Sequence, residues 1–529
     1  MASLSLLLSS CGEVSTVVEE EDKGLSSPIK NNGSLTITGK VTFDKIGVNS
    51  NRVGLNHRLV THEPARQVVV KAVGTLNEII TKTTTDDNGE YQLNNLPANA
   101  KIKIRVYAQM KKSVGNTTWN VDVVDNTNGD SQYVMEGRLK SIGVKNSTRN
   151  LNASLGWNPN RGYYSAPRVS APFAILDSIY TAMKKVIASD NKIDFPKLKV
   201  NWSPNNVSAG NGTEQELRDG QIVTSHYDGE SSLYILGDED GDTDEFDNHI
   251  IIHEWGHYFE SKFSRADSIG GAHSEGDILD MRVAFGEGWG NAWSAIATDD
   301  PIYYDTSGQS QSLGWSMDIE NGKPYNPGWW SEASIQRILY DLYDSHDDGE
   351  DSLSLGFTPI YDVLVGAQRN TPAFTSIFSF IDGLQRENRS EKEKINDILR
   401  SEDISEIDDA YGTGQNQLYL KMNPKTGSNV CTSTQYGISN KVDTHKYLLF
   451  SLENTGTYIV RLSQTNGRKA DPDFGLYITS PFKLIGKAEE INYRYEEGRY
   501  KLQAGDYILD VSDYNDLSEA CFNIDIIRN

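Results

Sequence analysis

The sequence lacks the features that mark several classes of protein. Its 529 residues include no run of about 18 or more apolar residues, so no membrane-spanning helix is predicted. Fifty Lys and Arg stand against 74 Asp and Glu, which gives a net charge of −24, and no basic patch is present. Because phosphate binding depends on clustered Lys and Arg, nucleic acid is not an expected partner. The hydrophobic content of 37% is nevertheless enough for the cores of about three or four globular domains.

Cysteine is also scarce, with only three residues. Cys11 follows a short apolar stretch at residues 4–8, and the sequence LSSC resembles a bacterial lipobox. The resemblance implies export, either as a lipoprotein of the cell surface or outer membrane anchored through Cys11 or as a secreted protein. Two features depart from this pattern: no Lys or Arg precedes the apolar stretch, and the stretch is shorter than that of a usual signal peptide. The alternative is a plain N-terminal tail. For the remaining pair, Cys431 and Cys521, we predict a disulfide, with two buried free thiols as the alternative.

Composition and strand periodicity divide the chain into four segments. Residues 1–33 combine the leader-like start with an acidic stretch that predicts a flexible tether. Residues 34–138 contain β-branched runs between turn residues, as in SLTITGKVTF, and predict a small β-sandwich. Residues 139–427 mix helices and strands, and residues 428–529 return to strands such as DYILDVS. The predicted fold class is therefore α+β, with a mixed core between two small β-sandwich domains.

The clearest chemical motif is HEWGH at residues 253–257. Residues at i and i+4 lie on one face of a helix, so His253 and His257 can bind the same zinc ion. Glu254 is turned about 100° away, where its carboxylate can reach a water near the metal without being a ligand. Such a triplet also arises by chance. The motif therefore needs a third ligand from elsewhere in the chain.

Glu287 is the carboxylate that we expect to complete the metal site. It stands in AFGEGWGNAWS at the head of a predicted helix, between Gly286 and Gly288. The missing side chains of these glycines would let two helices approach closely. HExxH followed by GEGW resembles the gluzincin metallopeptidases, closest in these motifs to the fungalysin-type enzymes of the thermolysin-like group. The resemblance covers about residues 240–345.

This resemblance implies a zincin-like metallopeptidase core and assigns roles to four residues. His253, His257 and Glu287 correspond to the zinc ligands, and Glu254 corresponds to the general base. The implied cofactor is Zn²⁺, and the implied partner is a protein or peptide substrate.

Two positions depart from the family pattern. Asn291 stands where these enzymes carry an aspartate that orients a ligand histidine. Trp329 falls near the position of the histidine that stabilises the tetrahedral intermediate. We therefore consider Tyr325, His273 and His346 as substitutes, because a phenol or imidazole that reaches the oxyanion would serve. A plain surface or core position is the alternative for each.

The flanking segments resemble accessory domains. TTDDNGEYQLNNLPANAKIKIRVYA is similar to the regulatory-type domain appended to carboxypeptidases. DPDFGLYI and AGDYILDVSDYN are similar to the bacterial pre-peptidase C-terminal domain. Both resemblances imply small sandwiches without chemistry of their own.

An acidic stretch, DEDGDTDEFD at residues 238–247, is dense enough in carboxylates to suggest a Ca²⁺ site. Its spacing does not complete an EF-hand loop, and a solvated acidic loop is the alternative. The strand SSLYILG just before it is expected to pair at its edge with an extended substrate.

Together these features predict a secreted or surface-anchored zinc-dependent peptidase. One alternative is a catalytically inactive, peptidase-like surface binding protein or adhesin, because two flanking sandwiches also suit adhesion. Another is a hydrolase of a different class that uses the same zinc. The sequence indicates no cleavage preference.

Overall fold

The computed structural model describes five stretches of the chain, residues 13–17, 33–322, 324–346, 352–415 and 417–529. Cys11 lies outside the described residues, so its lipidation stays a prediction. No helix in these stretches is both long and apolar enough to cross a membrane. The fold is mixed α/β and divides into two compact units, residues 1–258 with 297–317 and residues 259–296 with 318–529.

The first unit is rich in strands. They are β1 (Glu13–Val17), β2 (Leu35–Val48), β3 (Leu55–Pro64), β4 (Val68–Val73), β5 (Ile79–Thr84), β6 (Glu90–Leu96), β7 (Lys101–Lys112), β8 (Trp119–Asp125), β9 (Ser131–Glu136), β10 (Lys140–Ser141), β11 (Ser147–Thr148), β12 (Leu151–Ala153), β13 (Trp157–Asn158), β14 (Tyr163–Tyr164), β15 (Leu198–Trp202), β16 (His226–Tyr227), β17 (Ser232–Ile235), β18 (Ile302–Ser307) and β19 (Leu313–Asp318). Its helices are α1 (Ala171–Ser189) and α2 (Glu214–Arg218), and α3 (Asn248–Phe263) begins in it.

The main sheet of this unit has the order β16-β17-β15-β8-β9-β7-β4-β5. β15 pairs in parallel with β8, so the sheet continues across the predicted boundary between residues 138 and 139. β17, which forms four residues of the SSLYILG segment, lies between β15 and β16. The expectation that this strand offers a free edge was therefore wrong, because the two residues of β16 cover it.

The second unit holds the remaining helices and a β-sandwich. The helices are α4 (Met281–Thr298), α5 (Glu332–Tyr343), α6 (Phe357–Val363), α7 (Ile377–Glu387) and α8 (Lys392–Ser401). The strands are β20 (Tyr419–Lys421), β21 (Ser428–Thr432), β22 (His445–Leu452), β23 (Gly456–Gly467), β24 (Pro472–Thr479), β25 (Phe482–Ala488), β26 (Tyr495–Leu502), β27 (Gly505–Asp513) and β28 (Ala520–Arg528).

The C-terminal strands form two sheets, in the orders β20-β22-β27-β24-β25 and β21-β28-β23-β26. Alternate apolar residues from both sheets meet in one core, among them Leu448, Leu509, Leu462 and Phe522. This alternation is the pattern from which the sandwich was predicted. The predicted disulfide is confirmed, since Cys431 on β21 bonds to Cys521 directly opposite on β28.

Arg282, near the start of α4, joins this helix to the sandwich. Its Nε lies 2.9 Å from Oδ1 of Asp280, and its Nη1 lies 2.8 Å from Oδ2 of Asp510 on β27. Arg282 is 2% exposed, and its guanidinium carbon lies 4.8 Å from the ring centroid of Phe374 and 5.0 Å from that of Tyr447. Burial acts to raise the pKa of Asp510, but the charges of Arg282 and His445 hold it below its usual value.

Helix α3 begins at Asn248, and the Asp247 carboxylate just before it accepts the Thr306 amide of β18, 2.7 Å away. The second helix of the predicted metal site begins earlier than expected. α4 begins at Met281, so Glu287 lies inside the helix and not at its head. Asp280 caps this earlier start by accepting the amide of Arg282 at 3.0 Å.

Candidate metal centre

Helix α3 brings the two histidines of HEWGH together, as their i, i+4 spacing predicts. The Nε2 atoms of His253 and His257 are 3.0 Å apart, and the ring centroids are 4.7 Å apart. Two imidazoles that bind one tetrahedral zinc at about 2.0–2.1 Å have nitrogens roughly 3.3 Å apart. His253 is 7% exposed. The geometry of the pair therefore fits two ligands of one ion.

Glu254 has its own partner on a neighbouring strand. Its Oε2 accepts the backbone N–H of Tyr227, on β16, at 2.8 Å. A backbone donor has little freedom to move, so it holds one carboxylate oxygen in place while the other remains for proton transfer. The sequence offered no signal for this contact, since the two residues are 27 positions apart.

Glu287 on α4 belongs to the same group of ligand atoms. The ligand atoms of His253, His257 and Glu287 all lie within 4.8 Å of one another. Two imidazoles and one carboxylate are a ligand set that zinc takes in catalytic sites, where a further position stays open for water or substrate. The donor chemistry of these three residues therefore fits zinc.

His273 contacts Glu287 and a second carboxylate. Its Nε2 lies 3.2 Å from Oε2 of Glu287, and its Nδ1 lies 2.7 Å from Oε2 of Glu332, the first residue of α5. The His273 side chain is 31% exposed, whereas those of Glu287 and Glu332 are 11% and 9% exposed. Of the three substitutes considered for the oxyanion, His273 is thus the one found beside a predicted ligand.

Tyr325 and His346 are both on the surface, and Tyr325 lies beside the loop of His273, since a Cβ atom on Gly276 would be 3.5 Å from Cβ of Tyr325. Tyr325 is 87% exposed, and His346 is also exposed. Among the described residues neither ring forms a hydrogen bond or an ion pair. Trp329 is buried and packs against Trp330 and Phe378, which is a core position.

Helices α4 and α5 approach closely at Gly288. A Cβ atom on Gly288 would lie 2.5 Å from Cβ of Ile335 and 2.9 Å from the carbonyl oxygen of Glu332. The neighbouring Gly286 differs, because its nearest contact would be an ordinary 3.5 Å. Asn291 adds a link between the same helices, since its Nδ2 donates to Oε1 of Gln336 at 2.9 Å. Only one of the two glycines expected to allow close packing is therefore required for it.

The acidic stretch before α3 contributes to a second group of carboxylates. Ligand oxygens of Asp242, Asp244 and Asp305 lie within 4.8 Å of one another. Burial, and then the charges of Asp242 and Asp305, raise the pKa of Asp244 well above its usual value. Burial and the charge of Asp242 raise the pKa of Asp305 to about 7.

Sequence reasoning missed three members of these two sites. Glu332 and Asp305 lie on elements far in sequence from the motifs, so no spacing links them to the sites. The third member is the backbone N–H of Tyr227, which every residue type except proline would supply. The Ser331 cap of α5, which accepts the amide of Ser334, marked Glu332 as the start of a helix but gave no hint of its partner.

The comparison with protein families gives one match. Residues 189–388, which include both HEWGH and GEGW, match the family described as the mycolysin C-terminal domain. The match spans well under half of the chain, and it relates this region to a protease family. No curated protein matches the chain.

Among solved structures, the pre-peptidase C-terminal domain of a collagenase from Bacillus anthracis is 13% identical, with a TM-score of 0.16, and the match covers 21% of this chain and 92% of that one. The periplasmic lysozyme inhibitor PliG from Aeromonas hydrophila is 10% identical, with a TM-score of 0.14, and the match covers 21% of this chain and 96% of that one. Scores this low carry no argument about fold or function.

The contact at Gly288 leads to a prediction. Gly288→Ala should destabilise the protein by about 1–3 kcal/mol, because the added methyl group must displace Ile335 or the backbone of α5. Thermal and urea unfolding would measure this. Gly286→Ala is the matched control, and it should be nearly neutral. Equal effects of the two substitutions would contradict the close approach of the helices.

Proposed function

We propose that the chain is a zinc-dependent peptidase with a zincin-like core that hydrolyses peptide bonds in a protein or peptide substrate. The observation that carries this proposal is the group formed by His253, His257 and Glu287, with ligand atoms within 4.8 Å of one another. The relation of residues 189–388 to a protease family supports it independently. In this proposal the three residues hold the metal and Glu254 is the general base.

The roles of the side chains follow from their positions. When bound, zinc would act as a Lewis acid and lower the pKa of water toward about 7. Glu254, held through Oε2 by the Tyr227 amide, would accept a proton from the attacking water and return it to the leaving amine. The proposal assigns no step to Tyr325 or His346, and the role of either in stabilising the oxyanion stays a prediction.

The proposal includes export. The domain related to a protease family and the flanking sandwich suit a protein that acts outside the cell, and a lipid anchor at Cys11 would hold it at the surface. Mass spectrometry of the membrane fraction decides between anchoring and secretion, since an unmodified peptide spanning residues 10–12 in the mature protein excludes the anchor.

A test of the proposal uses two substitutions. Glu287→Ala should remove most bound zinc and all peptidase activity, whereas Glu254→Gln should keep zinc and lose several orders of magnitude in turnover. The difference follows because only Glu287 is assigned to the metal. Zinc content by mass spectrometry and digestion of a broad peptide library give the two readouts.

Glu275→Ala is the control, since Glu275 is exposed in the loop before α4, and it should keep both zinc and activity. Stoichiometric zinc in Glu287→Ala would rule out the gluzincin assignment. Zinc binding without cleavage of any peptide in the wild type would favour the alternative of an inactive, peptidase-like binding protein. Cleavage of a non-peptide substrate alone would favour a hydrolase of another class.

Calcium is proposed as a second cation, at Asp242, Asp244 and Asp305. Oδ1 of Asp242 and Oδ1 of Asp305 are buried from solvent and have no hydrogen-bond partner within the part of the chain that the structure describes. Among the described residues no Lys or Arg forms an ion pair with these three carboxylates. Carboxylate oxygens are the ligands that Ca²⁺ prefers.

Addition of Ca²⁺ to chelator-treated protein, with zinc restored in excess, should raise the melting temperature. A concentration of about 100 times Kd would stabilise the folded state by about 2.7 kcal/mol. Asp305→Asn should abolish the shift, and Asp240→Asn, at an exposed position in the acidic stretch that carries Asp242 and Asp244, should keep it. An unchanged melting temperature in the wild type would leave the alternative, an acidic loop without a cation.

A further inference from the structure

Both ring nitrogens of His273 face carboxylates. Nδ1 lies 2.7 Å from Glu332 and Nε2 lies 3.2 Å from Glu287, and in each case the facing atom is Oε2. A carboxylate is a strong acceptor, so the shorter contact holds the ring by a charge-assisted hydrogen bond. The ring plane and the direction of Nε2 are then set by Glu332.

Glu332 is itself held firmly. It is 7% exposed and opens α5, where a negative charge is favoured by the helix dipole. Its position next to α4 depends on Gly288, whose missing side chain makes room for the Glu332 carbonyl and for Ile335. The carboxylate therefore stands on a rigid element and not on a loop.

The loop that carries His273 is held from the other side by the segment that precedes β22. Asn440 donates from Nδ2 to the carbonyl oxygen of Gly270 at 2.9 Å, and Lys441 donates from Nζ to the carbonyl oxygen of Ala272 at 2.9 Å. The backbone on the N-terminal side of His273 is thus fixed by these two hydrogen bonds, and Glu332 holds Nδ1 of the ring.

We propose that Glu332 is a positioning residue of the metal centre. It orients the imidazolium form of His273, which carries a hydrogen on each ring nitrogen, so that Nε2–H is directed at Oε2 of Glu287, and this contact in turn orients the Glu287 carboxylate toward the metal. The inference rests on the proposed function, because it gives Glu287 the role of a zinc ligand. Glu332, His273 and Glu287 would then form a chain of hydrogen-bonded groups, and of the three only Glu287 would bind the ion.

Partners that orient a metal ligand typically contribute about 10–100-fold to metal affinity or activity. Glu332→Gln keeps the size of the side chain but replaces the charged acceptor by an amide, which binds Nδ1–H more weakly. We therefore expect zinc affinity to fall by about 10–100-fold in Glu332→Gln and in His273→Asn.

A chelator competition assay on the full chain measures the zinc dissociation constant, and the visible spectrum of the cobalt-substituted protein reports the geometry of the metal ligands. Glu402→Gln is the matched control. Glu402 is also a buried carboxylate, 3% exposed, and pairs with Arg337 on α5, 3.3 Å away. Its loss should lower the melting temperature but leave the zinc affinity and the cobalt spectrum unchanged.

A positioning role requires that Glu332→Gln weakens zinc binding and shifts the cobalt spectrum at full occupancy, beyond any change in Glu402→Gln. Wild-type affinity and spectrum in Glu332→Gln would overturn the inference. So would a complete loss of zinc in His273→Asn equal to that in Glu287→Ala, because His273 would then be a ligand. Retention of zinc in Glu287→Ala would instead refute the proposed function. Because this variant is measured first, the two failures can be told apart.

Discussion

The buried guanidinium of Arg282 is the constraint on which the second unit depends. A charge that is 2% exposed is tolerated only when opposite charges meet it, and Asp280 and Asp510 do so from α4 and from the sandwich. Removal of the arginine would leave Asp280 with only the Tyr447 hydroxyl, and Asp510 with only His445, as a side-chain partner among the described residues. The first turn of α4 is thereby fixed to β27, and the C-terminal sandwich acts as a support for the helix that carries Glu287.

The candidate metal centre also depends on the close packing of α4 against α5. Gly288 lets α5 come close to α4, and this approach brings Glu332 to the ring that contacts Glu287. The Asn291 amide joins the same two helices through Gln336. Asn291 is thus a neutral link between α4 and α5, whereas the Glu287 carboxylate is contacted by the ring of His273.

Around the start of α3, in the first unit, buried carboxylates lie next to other carboxylates, whereas the one at the start of α4 faces a buried guanidinium. Asp244 and Asp247 are buried beside other carboxylates, and burial together with like charges raises the pKa of each well above its usual value. The nearby Arg168 is directed at Glu245 and offers them no ion pair. The Asp247 carboxylate, directly before the first residue of α3, accepts the Thr306 amide and so links this end of the helix to β18.

The sequence by itself determined the elements whose pattern is local. The i, i+4 spacing in HEWGH placed two histidines on one helix face, the alternation of apolar residues marked the strands of the C-terminal sandwich, and the even pair Cys431 and Cys521 indicated the disulfide. Only the tertiary structure decided that β16 covers the edge of β17 and that the main sheet includes strands from both sides of the predicted boundary at residue 138. It also decided that Glu332 contacts His273 and that Asp305 lies beside Asp242 and Asp244, although these residues are far apart in the sequence. Those contacts depend on how separate elements pack, and no periodicity within a segment encodes which distant carboxylate will face it.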